Sequence, residues 1–193
     1  MHHVYTTRAI VVRSRTSGEA NRAYDLLTEG LGFIRALAQG VRLAKSKLKG
    51  HLRDFCLVSV SVVRGRDVWR ITSAEAESAG TFFHDPEKMS VAQGVLSLLL
   101  RLVHGEEKNE RLFRIVRSFL AYLASGASAA DARDLEILAV LRILATLGYL
   151  KESAELSRFV GNDDISDSLL AAVRAVRKTL VAEINETLLR TNL

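Results

Sequence analysis

Six basic side chains lie between positions 35 and 53: Arg35, Arg42, Lys45, Lys47, Lys49 and Arg53. No acid stands among them, and His51 can add a further positive group. A loop kept only for solubility normally mixes charge signs, so an all-cationic one builds a local field that attracts polyanions. Lys45, Lys47 and Lys49 are spaced two apart, with Arg42 before and Arg53 after, an arrangement suited to phosphate contacts in an extended or a mobile segment. These six residues form the candidate nucleic-acid-binding set. A second basic feature, Arg111, Arg114 and Arg117 spaced by three, with Arg101 ahead of them, places cations on one helix face opposite Leu112, Phe113 and Val116. A solvated helix face accounts for it, as does an extended nucleic-acid path or a dock for an acidic peptide.

Residue types that could make or break bonds are poorly placed. Of the five histidines, His2, His3, His51, His84 and His104, only His2 and His3 are neighbours. His84 and Asp85 are two adjacent ligands, which do not make a metal site. Asp163, Asp164 and Asp167 lack the calcium-loop spacing and its terminal glutamate, and read instead as carboxylates at the N-terminus of a last helix. Cys56 is the only cysteine and sits in the strand-like run FCLVSVSVV, so it reads as a buried small hydrophobe. No phosphate-binding P-loop occurs. The expectation is a protein without catalytic residues, metal or cofactor, and not an enzyme.

Elements must present the basic segment. The 193 residues, 48% apolar and 25% charged, suffice for one large domain or two small ones with a genuine core. Residues 1–80 hold 13 Lys or Arg against 7 Asp or Glu, whereas residues 81–193 hold 14 against 15, so the net charge of +5 belongs to the first half. Nothing at the start resembles a signal peptide, and the longest apolar run, from Val95, is broken by Arg101 well short of the roughly 20 residues that cross a bilayer. A reducing cytoplasmic setting without membrane contact is expected.

The first eighty residues read as five short strands: Thr6–Ser14, Ala23–Thr28, Gly32–Gln39, Phe55–Val63 and Val68–Ala74. The second and third flank Glu29, Gly30 and Leu31, a hairpin connection in which Gly30 supplies a positive φ. The alternation around Val58, Val60 and Val62 puts these on one face and Leu57, Ser59 and Ser61 on the other. The basic run between Gly40 and Gly50 reads as the loop joining strands three and four. So many short strands leave edges exposed unless the sheet closes into a barrel. Phe33 and Phe55 read as core; Tyr24 and Trp69 stay open between core and stacking surface. With aromatics this sparse, binding is expected to be electrostatic, salt-sensitive and weak in base readout.

Near Gly80 the period changes to that of helices. Asp85 and Pro86 suit a helix entry; Ser90–His104, Asn109–Ala124 and Asp131–Gly148 carry helical apolar patterns, the third apolar on most faces and so central to a bundle. Ala154–Val160 reads as a short helix and Ile165–Arg190 as one long last helix. The fold class is therefore α+β: an N-terminal five-stranded closed barrel, residues 1–80, then an α-helical bundle, residues 81–193, without the βα alternation of a Rossmann-type fold.

The N-terminal run from Tyr5 to Gly50 resembles the opening of the RecO family of DNA repair and recombination mediators. Gly18, Glu19, Asn21, Arg22, Leu27, Thr28, Gly32, Ala38, Gly40, Ser46 and Gly50 stand at the family's pattern positions, with Asn21 in place of an aspartate. The run Leu135–Leu150 is similar to the family's central helix ending in glycine-tyrosine, here Gly148 and Tyr149. Two departures accompany the likeness. After Tyr149 the chain continues as KESAELSRFVGNDD, without the cysteines that in the family can hold zinc, so no zinc site is carried over. The stretch before the last helix is also shorter than usual, which puts partner contacts made there in doubt.

The resemblance implies an N-terminal OB-fold barrel joined to a helical domain, binding of single- and double-stranded DNA, annealing of complementary strands, and contact with the tail of single-stranded DNA-binding protein. It also implies cooperation with a RecR-like protein in loading the RecA recombinase, in a cytoplasm where the protein joins the nucleoid when active. Two other readings stand beside it: a protein-interaction adaptor that touches DNA only incidentally, and an RNA-binding OB-fold protein, since phosphate contacts alone do not tell the two nucleic acids apart.

Overall fold

The structure is a computed structural model that describes residues 3–78, 85–125, 127–151 and 153–191. Its residues gather into two compact units, Met1–Gly80 with His104–Phe113, and Thr81–Val103 with Arg114–Leu193. The expected boundary at residues 80 and 81 falls outside the described residues.

In the first unit, β1 (Val4–Ser17), β2 (Asn21–Thr28), β3 (Gly32–Ala38), β4 (Leu57–Arg64) and β5 (Trp69–Ser78) close into a barrel in the order β1-β2-β3-β5-β4. Every neighbouring pair is antiparallel except β3 and β5, which run parallel. This is an OB-type barrel, and closure removes the free edges that five short strands would expose. β1 pairs with β4 through its first half and with β2 through its second. A bulge between Val11 and Arg13 lets Val11 and Val12 both enter the core.

Val58, Val60 and Val62 are fully buried and Leu57, Ser59 and Ser61 partly exposed, as the alternation in β4 predicts. The strand starts at Leu57 rather than Phe55, because Phe55 takes φ 68°, a left-handed turn no strand residue adopts. In the β2–β3 connection the positive φ belongs to Gly32, at 71°, and not to Gly30. Only glycine fits there: a Cβ would stand 2.4 Å from the carbonyl oxygen of Glu107. The Thr28 hydroxyl fixes the turn, donating to Gly32 O at 2.7 Å and accepting from Leu31 N at 2.9 Å.

The helices are α1 (Pro86–Leu102), α2 (Glu110–Ala124), α3 (Ala129–Thr146), α4 (Ala154–Val160), α5 (Asp167–Ala175) and α6 (Arg177–Arg190). Asp85 caps α1 as expected, accepting from the N–H groups of Glu87 and Lys88, with Pro86 opening the first turn. A capping box between Ser128 and Asp131 opens α3. α3 is the centre of its unit: α1, α4, α5 and α6 all pack on it, and Leu135, Leu138, Leu141, Ile143 and Leu144 are fully buried.

The expected single helix from Ile165 to Arg190 is instead two, separated at Val176 with φ −116° and ψ 21°. The break stands between Arg174 and Arg177, which both close on the fully buried carboxylate of Asp134 in α3, at 2.7 and 2.6 Å. A buried carboxylate needs such partners, and no apolar periodicity signals that two of them must converge from one segment.

Candidate nucleic-acid interface

The loop between β3 and β4 is tied down at both ends. Val41 and Leu52 are buried, the Arg42 N–H donates to Ala20 O at 3.0 Å, and an Arg42 guanidinium N–H donates to Gly18 O at 3.1 Å. Gly40 N donates to the side-chain oxygen of Asn21 at 2.9 Å, so the amide standing in the family's aspartate position still supplies the acceptor that starts the loop. Successive turns follow, in which Ser46 N reaches Leu43 O and both His51 N and Leu52 N reach Leu48 O. His51 is occupied structurally: its Nδ1 accepts from Ala76 N at 3.3 Å.

This arrangement leaves Lys45, Lys47 and Lys49 exposed, with no ion pair among the described residues, and Arg53 exposed as well. Arg42 and Lys49 line one cavity together with Arg22. Arg35 is placed differently. It lies on the outer side of β3, where its Nε donates to Asp25 at 3.0 Å.

Asp25 gathers more than Arg35. Its carboxylate is 1% exposed, yet it accepts from Arg13 and Arg15 of β1 and from Arg35, all within 3.3 Å. Burial pushes the carboxyl up, but hydrogen bonds from Arg35 and Arg13 and the charges of Arg15 and Arg35 more than reverse this and hold it below its ordinary range. Three guanidiniums on one carboxylate leave about two net positive charges on this face of the barrel, with each arginine side chain 45–58% exposed. In the sequence Arg13 and Arg15 stand apart from the basic run, with no local pattern that joins them to it. Only the β1–β2 and β2–β3 registers bring them to Asp25.

Tyr24 and Trp69, left open, are buried, whereas Phe33 and Phe55, read as core, are only half-buried. Trp69 donates its indole N–H to Glu106 at 3.0 Å, and Arg64, itself paired with Glu106, lies over the indole ring. Burial raises the Glu106 carboxyl, and the Trp69 and Arg64 hydrogen bonds bring it below its ordinary value. Among the described residues, Tyr5 is an exposed aromatic, at 37%, and stands edge-on to both His3 and Trp69.

Among the second basic group, Arg114 pairs with Asp163 at 3.3 Å, Arg111 and Arg117 are half-buried, and Arg101 is exposed in the last turn of α1. Of the aspartates read at the N-terminus of the last helix, Asp167 stands in the first turn of α5 and accepts from the Tyr122 hydroxyl, while the cap itself is Ser166. The backbone carbonyls of Asp163 and Asp164, with that of Phe159, are gripped by the buried guanidinium of Arg142 at 2.8–3.0 Å. That role was invisible in a run read as apolar helix. Cys56 is buried and free. His2 and His84 lie outside the described residues. Among those described, no three His, Cys, Asp or Glu side chains gather as a metal site, and no helix is long and apolar enough to cross a membrane.

A family model described as Recombination protein O N terminal matches residues 1–79, and one described as Recombination protein O C terminal matches residues 83–154. The DNA repair protein RecO of Dehalococcoides mccartyi is 36% identical over 115 residues, 59% of this chain and 46% of that protein. The protein of the same name from Roseiflexus is 35% identical over 114 residues, 58% of this chain and 40% of that one. For Bifidobacterium longum the figures are 40% over 76 residues, 39% of this chain and 32% of the relative. The chain thus matches less than half the length of each of these curated relatives.

Proposed function

The chain belongs to the RecO family of DNA repair and recombination proteins, and from that premise we propose that it is a non-catalytic mediator that binds DNA through its barrel and anneals complementary single strands. The observation that carries the proposal is the β3–β4 loop, whose ends are fastened to the barrel while Lys45, Lys47 and Lys49 project into solvent without an acid to neutralise them. Annealing needs no covalent step. Two strands repel through their phosphates, and a cationic surface that releases their counterions lowers that repulsion and holds them close enough for pairing to nucleate.

Arg42 and Arg53 extend the loop surface, and the Arg13, Arg15 and Arg35 face adds fixed positive charge on the same barrel. In this reading the ligands are single- and double-stranded DNA. A RecR-like protein and the tail of single-stranded DNA-binding protein are its partners in assisting recombinase loading. Arg101, Arg111, Arg114 and Arg117 then form a secondary basic face, with Arg114 already engaged by Asp163. The domains are a DNA-binding OB barrel, residues 1–80, and a helical domain, residues 81–193.

The test is binding of unrelated single-stranded oligonucleotides across a salt series. Replacing Lys45, Lys47 and Lys49 by glutamine should weaken binding about equally for every sequence and flatten the logarithmic salt slope by about 2, at roughly 0.7 per lost phosphate contact. Unchanged affinity and slope would refute the loop as the DNA surface.

A further inference from the structure

Arg22 opens β2 on the inner side of the barrel. In the β2–β3 register Leu26, Tyr24 and Arg22 lie opposite Ile34, Ala36 and Ala38, all three of which are buried. Leu26 is lost in the core, but Arg22 and Tyr24 reach a cavity of about 320 Å³ that Val41, Arg42, Lys49 and Leu52 of the β3–β4 loop complete. This size stands at the lower end of the roughly 300–1,000 Å³ typical of small-ligand sites, which favour the mouths of barrels.

The polar groups of the cavity are nearly all donors. Arg22 Nε is buried from solvent and meets no acceptor among the described residues, although a guanidinium can only donate. Arg42 spends one N–H on Gly18 O, and the Lys49 ammonium and Tyr24 hydroxyl have no partner among the described residues. Asp54 is the acid close by. Its charge acts on Tyr24 in opposition to that of Arg22, yet its buried Oδ1 pairs with neither Arg22 nor any other described group. Three cations against one carboxylate leave about two net positive charges around a space walled by Val41 and Leu52. A buried donor that no protein group satisfies calls for an acceptor from elsewhere, and several cationic donors lining one cavity match phosphate oxygens.

We propose that this cavity is a phosphate pocket, in which Arg22, Arg42, Lys49 and the Tyr24 hydroxyl receive one phosphate group of a nucleic-acid strand. The proposal rests on the DNA-binding reading above and adds a fixed seat to an otherwise diffuse cationic surface. Two sources present this chemistry: an internal phosphodiester with a single charge, and a strand-end phosphomonoester whose charge of about −1.5 to −2 equals that of the site more closely.

The test measures fluorescence anisotropy of an internally labelled single-stranded oligonucleotide, 5′-phosphorylated or 5′-hydroxyl, with the whole chain, wild type, Arg22→Gln or Lys49→Gln. Inorganic phosphate is added against sodium chloride of equal ionic strength. The pocket predicts that Arg22→Gln weakens binding about tenfold, as one charge-assisted hydrogen bond should. It also predicts that inorganic phosphate competes with wild type beyond its ionic strength and loses that advantage in either variant. Lys49 lies on the exposed loop, so its variant keeps the test alive if Arg22→Gln does not fold. Loss confined to the 5′-phosphorylated strand identifies the strand end as occupant, and equal loss for both identifies the phosphodiester. Wild-type affinity in the variants, or phosphate acting no differently from chloride, overturns the pocket while leaving DNA binding intact. Failure of wild type to bind either oligonucleotide overturns the DNA-binding reading itself.

Discussion

The Nε of Arg35 donates to Oδ1 of Asp25 across the β2–β3 pair at 3.0 Å, which makes a residue of the basic run part of a structural ion cluster. Arg13 and Arg15 fill the other side of the same carboxylate. Because the three guanidiniums stay about half exposed, water can take them back when the acid is removed, and the loss falls short of that for a fully buried pair. Asp25→Asn should therefore destabilise the barrel by about 1–2 kcal/mol. Urea unfolding followed by the fluorescence of Trp69, the only tryptophan and a buried barrel residue, measures this directly.

The same carboxylate sets an acid limit. Its folded value lies below the ordinary 3.8, so its contribution is complete above that pH and is lost as pH falls through the folded value. Asp131, lowered by hydrogen bonds from Ser128 and Arg174, acts in the same direction in the helical unit. At the alkaline end the Tyr122 phenol, pushed up to about 12 by its hydrogen bond to Asp167, favours the protonated form, so stability should also fall as pH rises from 10 toward 12. Thermal melts across pH should show both declines, and Tyr122→Phe should remove its part of the alkaline one.

Arg142 joins α3 to α4 and the segment after it through three backbone carbonyls, those of Phe159, Asp163 and Asp164, while its side chain is 2% exposed. Arg142→Met removes those donors and leaves the buried Phe159 carbonyl unsatisfied, at about 1–3 kcal/mol, while the part-buried carbonyls of Asp163 and Asp164 lose their partner as well. We expect a loss of about 3 kcal/mol or more, read from the helical circular dichroism signal on thermal unfolding. A variant as stable as wild type would show that the segment holds without it.

What could be read from the sequence follows range. The alternation of Val58, Val60 and Val62 and the Asp85–Pro86 helix entry are local patterns, and both stand as read. The lysine loop was legible for the same reason, since Lys45, Lys47 and Lys49 are neighbours in the chain. Arg13, Arg15 and Arg35 meet only because a bulge and two strand registers align them on Asp25, which no local period records. Tyr24 and Trp69 were ambiguous because an aromatic with a polar tip suits core and surface alike. The pairing that draws Trp69 inward, Glu106, comes from a segment 37 residues away. The break at Val176 falls in a run without Gly or Pro, so no local signal marks it.

The central claim, that the barrel loop brings DNA strands together, is tested most directly by the annealing rate of complementary oligonucleotides with the pure chain across a salt series. The account predicts rapid annealing at low salt that falls steeply as salt rises, and a rate reduced at least about tenfold when Lys45, Lys47 and Lys49 are all replaced by glutamine. No annealing by wild type at low salt, or full activity in the triple variant, would contradict it.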